Sequence, residues 1–233
     1  MDLYKRLIND PAKQRFPHFM EVPASGAVSF KNSLTTAKNA HPDGASVDVR
    51  SLQEYRQSRM FMTEDKKAGY AVSPEGELHS VFSHPDSGYN NVARHAAEHG
   101  ILMGGATHLS AYGENLPEMY RWGGFTPIAH TPWNEDYKPE NWNEERGKPD
   151  VVFMAANPSA KKFRWEDFDK VPEGDERSVN IVKNPNHYIP GKKTRGNEEI
   201  TGEDAYEGGM ADAKDIGENW TQPLRDTMKG YPK

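Results

Sequence analysis

The chain has 233 residues, a net charge of −6 and no cysteine. That length allows one domain of about 150 residues plus further segments. The missing thiols exclude disulfides, thiolate metal sites and a cysteine nucleophile, and the acidic balance offers no overall attraction to a nucleic-acid backbone. Hydrophobic residues make up only 35% of the chain, so part of it is expected to lack a core of its own.

Residues 1–44 read as a helical leader. "DLYKRLI" has helical spacing at Leu3, Tyr4 and Leu7, and Pro11 breaks it. The N-terminus alternates charged and apolar residues and lacks the apolar core of a signal peptide. No run approaches the ~18 apolar residues of a membrane span, so the expected location is the cytoplasm. A short helix is expected around Asn32–Asn39, and "HPDG" at 41–44 signals a turn.

Residues 45–157 hold the organised part. "ASVDVRS" alternates Val47 and Val49 and predicts a strand. "KKAGYAVSPEGELHSVFSH" predicts a hairpin turning at Ser73–Gly76. "NNVARHAAEHG" predicts a helix with Val92, Ala93, Ala96 and Ala97 on one face and Gly100 as its stop. "ATHLSAYG" predicts a short strand, and "NLPEMYRWGG" a short helix with Pro117 in its first turn. "FTPIAHTPW" and "PDVVFMAAN" predict strands on either side of a polar connection. The fold class is therefore α+β or mixed α/β, with a hairpin core. Residues 158–233 have only isolated large apolar residues such as Val171, Ile181 and Trp220, and predict an extended polar arm. Such an arm could equally dock on a protein partner through segments like "VNIV" and "NWTQPL".

Three constellations could carry chemistry. In "SVFSHPDSGYNNVARHAAEHG" a strand, a loop with Gly88 and a helix follow one another. Backbone N–H groups at a helix start are unpaired and sit at the positive end of its dipole, which suits a phosphate. Asp86, Ser87, Gly88, Tyr89 and Asn90 would lie at the contact; the alternative is a capped turn with Asp86 or Ser87 as cap. In "MYRWGGF" Tyr120 is either a packed aromatic or a phenol placed to give a proton to a leaving group. Glu77 and His79, on the strand before the loop, could accept one, or could simply face solvent. His95 and His99 stand four apart on a helix, but "AAE" between them supplies no third ligand, so no metal site is expected. There is no G-x-S-x-G, Walker A or G-x-G-x-x-G motif.

In their order and spacing, "LPEMYRWGGFTPI", "PDVVFMA" and the hairpin-to-helix run between residues 68 and 100 resemble the GNAT N-acyltransferase superfamily. More narrowly, they resemble GNAT-like domains of bacteriophage and mobile-element proteins. The resemblance covers about residues 45–157. It implies a central mixed sheet of six to seven strands flanked by helices, with a V-shaped splay between two strands. It implies acetyl-CoA or another acyl-CoA as cofactor and direct acyl transfer to an amine. The cofactor would contact Val81, Phe82, His84, Asp86, Ser87, Gly88, Tyr89 and Asn90; Tyr120 would be the acid, and Glu77 or His79 the base. The loop departs from the usual Q/R-x-x-G-x-G/A, with His84 where Arg or Gln is expected and only Gly88 matching. A second expectation is a GNAT-like scaffold without catalysis, docking in a virion or another assembly.

Overall fold

The computed structural model describes residues 15–113, 115–157, 168 and 170–174. The helix expected over "DLYKRLI", and the arm apart from residues 168 and 170–174, lie outside them. The strands are β1 (Met20–Val22), β2 (Arg59–Met62), β3 (Ala68–Val72), β4 (Leu78–Ser83), β5 (His108–Tyr112), β6 (Phe125–Thr131) and β7 (Val151–Ala156). The helices are α1 (Ala27–Ala40), α2 (Leu52–Gln57), α3 (Val92–His99) and α4 (Asn115–Trp122). Seven strands occur among the described residues, in two antiparallel sheets rather than the single mixed sheet expected. One has the order β1-β2-β3-β4 and the other β5-β7-β6.

Residues 20–40, read from the sequence as part of a leader, supply the first strand and longest helix of the same folded body. α1 buries Ala27, Phe30, Leu34 and Ala37, the 3-4-3 spacing of one helix face. These residues form a core with Tyr55, Met60, Met62, Ala71 and Phe82 on one face of the first sheet. A second core fills the opposite face and continues into the second sheet. It joins Phe61, Tyr70, Leu78, Ala96, Ala97, Leu109, Tyr120, Phe125 and Met154, so α3 and α4 cover the side that α1 and α2 do not.

The strand expected at Val47 and Val49 is not formed. That segment is extended but unpaired, with both valines packed against the first core. The chain then enters α2 through a capping box: Ser51 Oγ accepts from Glu54 N at 3.2 Å, and Glu54 Oε2 accepts from Ser51 N at 2.9 Å. Gly100 does not stop α3. The chain runs on through a π turn, Gly100–Gly104, which ends where Gly105 adopts φ 80°. No helix of the described residues is long and apolar enough to cross a membrane.

Beyond β7, residues 171–174 lie along the edge strand β6. His130 N donates to Pro172 O at 3.0 Å, Gly174 N donates to His130 O at 2.9 Å, and Val171 is buried. This part of the expected arm therefore continues the second sheet.

The double glycine after α4 has two separate causes. Gly124 adopts φ 108°, a conformation that side chains rarely allow. Gly123 has no such need, but a Cβ there would meet Ala97 Cβ at 2.3 Å and Arg94 O at 2.7 Å. The missing methyl lets α4 lie directly on α3. Gly123→Ala is expected to destabilise the fold by about 1–3 kcal/mol through overpacking, read as a lower midpoint in urea denaturation. A midpoint equal to that of the unmodified chain would rule out this close contact.

Candidate functional site

The second sheet meets the first at one point. β4 and β5 run parallel, joined by a bridge between Glu77 and His108. Next to it, Gly76 O accepts from Thr107 N at 2.8 Å and His108 N at 3.3 Å. No further ladder joins the two strands among the described residues, since they belong to separate sheets. The backbone edges of β4 and β5 past this junction therefore border an unpaired slot.

β4 is irregular inside the slot. Ala71 pairs with His79 and Gly69 with Phe82, so Tyr70 alone faces both Ser80 and Val81. Ser80 takes φ 51° at this bulge. The extra residue turns His79 and Ser80 toward the same side, where they join a buried polar string. His79 Nε2 lies 3.3 Å from Ser58 Oγ, and His79 Nδ1 lies 3.0 Å from Ser80 Oγ. Ser80 Oγ also lies 3.0 Å from Tyr55 Oη, which accepts from Arg50 N at 3.0 Å. Burial, and then the Arg50 charge, push the His79 pKa down to about 3.

Of the two residues expected as base, His79 is 7% exposed and both its ring nitrogens are engaged. Glu77 remains partly open, with 29% of its side chain exposed, and its Oε2 accepts from Arg50 Nη2 at 2.7 Å. Arg50 was not singled out from the sequence; it stands 27 residues from Glu77, and no local pattern links them. Tyr120, the expected acid, points into the second core and is 7% exposed. Burial raises its pKa, so the phenol keeps its proton well above neutral pH.

The loop after β4 is more occupied than a phosphate cradle should be. Asp86 N donates to His84 Nδ1 at 3.1 Å, and Ser87 N to His84 O at 2.9 Å. Tyr89 N donates to Ser87 Oγ at 3.2 Å, and Asn90 N to Arg15 O at 3.0 Å. Arg15 also donates to Ser87 O at 3.2 Å, and its guanidinium lies 4.4 Å from the centre of the Tyr89 ring. Four of the N–H groups expected to receive a phosphate are therefore already bonded within the protein. The N–H groups of Gly88 and Asn91, and those of Val92, Ala93 and Arg94 in the first turn of α3, have no acceptor among the described residues.

Val81 packs against the second core and Phe82 against the first, so they face opposite sides of β4. A cleft of about 240 Å³ opens beside the start of α3, lined by Asn91, Arg94, Met119 and Trp122. Trp122 is 45% exposed, and Glu118 holds its indole N–H at 3.1 Å. No local pattern pairs these residues, because Arg94 and Trp122 come from different helices. No group of three or more potential metal ligands occurs among the described residues.

The buried imidazoles make a pH prediction. The His79 pKa lies at about 3 and the His99 pKa at about 4, both below the ordinary 6.5. The unfolded chain therefore takes up these protons first. Their contribution is complete above pH 6.5 and is lost as pH falls toward 4, with a slope of about 1.4 kcal/mol per pH unit for each proton. The melting temperature should fall steadily from pH 7 to pH 4.5, and more gently in His79→Gln; equal slopes would contradict the burial of His79.

No protein-family model and no curated protein matches this chain. A solved structure described as a candidate phosphinothricin N-acetyltransferase is similar at a TM-score of 0.40 and 10% identity, over 60% of this chain and 96% of that one.

Proposed function

We propose that the protein is an acyl-CoA-dependent N-acyltransferase that transfers its acyl group directly to an amine. The observation that carries this reading is the slot between β4 and β5: two parallel strands joined by one bridge and unpaired beyond it. An extended pantetheine-like chain carries amide N–H and C=O groups that match open strand edges. Beyond the slot, the open N–H groups from Asn91 to Arg94 suit the pyrophosphate at the other end of such a cofactor.

In this reading the amine nitrogen attacks the thioester carbonyl. The C–N bond forms, the C–S bond breaks, and the amine loses a proton. Glu77 is the base, because it is partly open while His79 is buried and keeps no free ring nitrogen. Arg50 holds the Glu77 carboxylate in place at 2.7 Å. Tyr120 is the acid for the departing thiolate in this reading, a step that requires its phenol, protonated at neutral pH and packed in the second core, to reach the slot.

Acetyl-CoA at a hundred times its Kd should stabilise the protein by about 2.7 kcal/mol, visible as a higher melting temperature. Release of free CoA thiol should follow when a panel of primary amines is added. Tyr120→Phe should keep the thermal shift and lose about 10²–10⁴-fold in kcat. No thermal shift at millimolar acetyl-CoA would sink the reading.

A further inference from the structure

A further cleft lies away from the slot. It encloses about 700 Å³ on the α1 side of the first sheet, between α1 and the turn joining β2 to β3, and it reaches the loop after β4 only at His84. Its lining carries several hydrogen-bond donors. Lys66 and Lys67 line it from the turn, and Lys67 Nζ donates one of its hydrogens to Asp86 O at 3.1 Å. Ser29, Asn32 and Ser33 line it from one side of α1. Lys66 Nζ donates to Ser29 Oγ at 3.2 Å, leaving the Ser29 proton free to donate in turn.

His84 adds a further donor. Its Nδ1 accepts from Asp86 N at 3.1 Å, so the ring hydrogen of the neutral imidazole sits on Nε2. The one carboxylate of the lining, Asp65, is already engaged. Its Oδ1 accepts from Thr63 Oγ1 at 2.7 Å and Lys67 N at 3.2 Å. Its Oδ2 accepts from Arg15 Nη2 and Tyr89 Oη, each at 3.1 Å. With the Asp65 charge balanced by Arg15, Lys66 and Lys67 give the lining a positive balance in a protein whose net charge is −6.

We propose that this cleft binds a phosphate monoester. Two ammonium groups match the two charges of such a phosphate, and an imidazole N–H with short polar side chains can serve its remaining oxygens. The volume leaves room for the organic part of the ester. Two sources would present the same chemistry: the 3′-phosphate of a coenzyme A, or a phosphate on another ligand such as a phosphorylated amine. The site itself does not depend on the acyltransferase reading.

The test follows backbone amide signals of the isotope-labelled full chain by NMR during titration with inorganic phosphate. Saturable shifts are expected at Ser29, Asn32, Lys66, Lys67 and His84. They should disappear in the double variant Lys66→Gln, Lys67→Gln, and persist in Lys148→Gln, whose ammonium pairs with Glu135 elsewhere. Shifts confined to Asn91–Arg94, or unchanged in the double variant, would overturn the proposal. So would a response that never saturates. The wild-type shift map decides this even if the double variant folds poorly.

A second arm assigns the source by comparing acetyl-CoA with its 3′-dephospho form. A loss of about tenfold in the double variant for acetyl-CoA alone assigns the phosphate to the cofactor. Equal affinities assign it to a different ligand. If acetyl-CoA fails to bind the wild type, the acyltransferase reading fails, while the phosphate titration still decides the cleft.

Discussion

The backbone of β4 at Ser80 is held at φ 51°, a conformation that costs a non-glycine residue about 1–3 kcal/mol and persists only where its surroundings enforce it. Here they do so from both sides. The Ser80 hydroxyl is fixed by Tyr55, His79 and the carbonyl of Asp48, while Tyr70 spans the bulge from β3. Tyr70 is itself clamped, stacked on Phe61 at 4.9 Å with its hydroxyl 2.5 Å from His99 Nδ1. Both cores thus converge on one residue. α2 contributes Tyr55 from one face, and α3 contributes His99 from the other. The position of β4 at the slot, and with it the placement of Glu77, rests on this agreement.

The loop after β4 shows a similar economy. Its N–H groups are satisfied locally by His84 and Ser87, and at a distance by Arg15. A loop closed on itself in this way leaves its open donors at its two ends. One end is the start of α3, beside Arg94 and Trp122. The other is His84 with Lys66 and Lys67, on the opposite face of the sheet.

The parts of the fold that were legible in the sequence are those governed by short-range rules. The β3–β4 hairpin, α3, α4, β6 and β7 each carry their own period and turn residues within about 20 positions. α2 is not among the elements read from the sequence, although Ser51 and Glu54 spell a capping box. The division into two sheets could not be read, because pairing between β4 and β5 is decided across 31 residues at Glu77 and His108. The same holds at the candidate site. Tyr120, Glu77 and His79 are visible as residue types in a suggestive order. The ion pair that occupies Glu77 and the burial of His79 are tertiary facts, as is the hold of Arg15 on a loop 72 residues away. His130, unremarkable in the sequence, pairs with Asp150 at 2.7 Å across the β6–β7 connection.

The single junction between the sheets has a mechanical consequence. Each sheet is internally braced by its own ladder, and the two are tied where Gly76 O receives two N–H groups. Past that junction, no ladder hydrogen bond spans the gap between β4 and β5 among the described residues. Side-chain packing beneath joins the two sheets, and the Arg146–Asp43 contact at 2.6 Å links connections 103 residues apart. The molecule is built like a book whose spine is one residue pair, stiff within each cover and compliant at the opening.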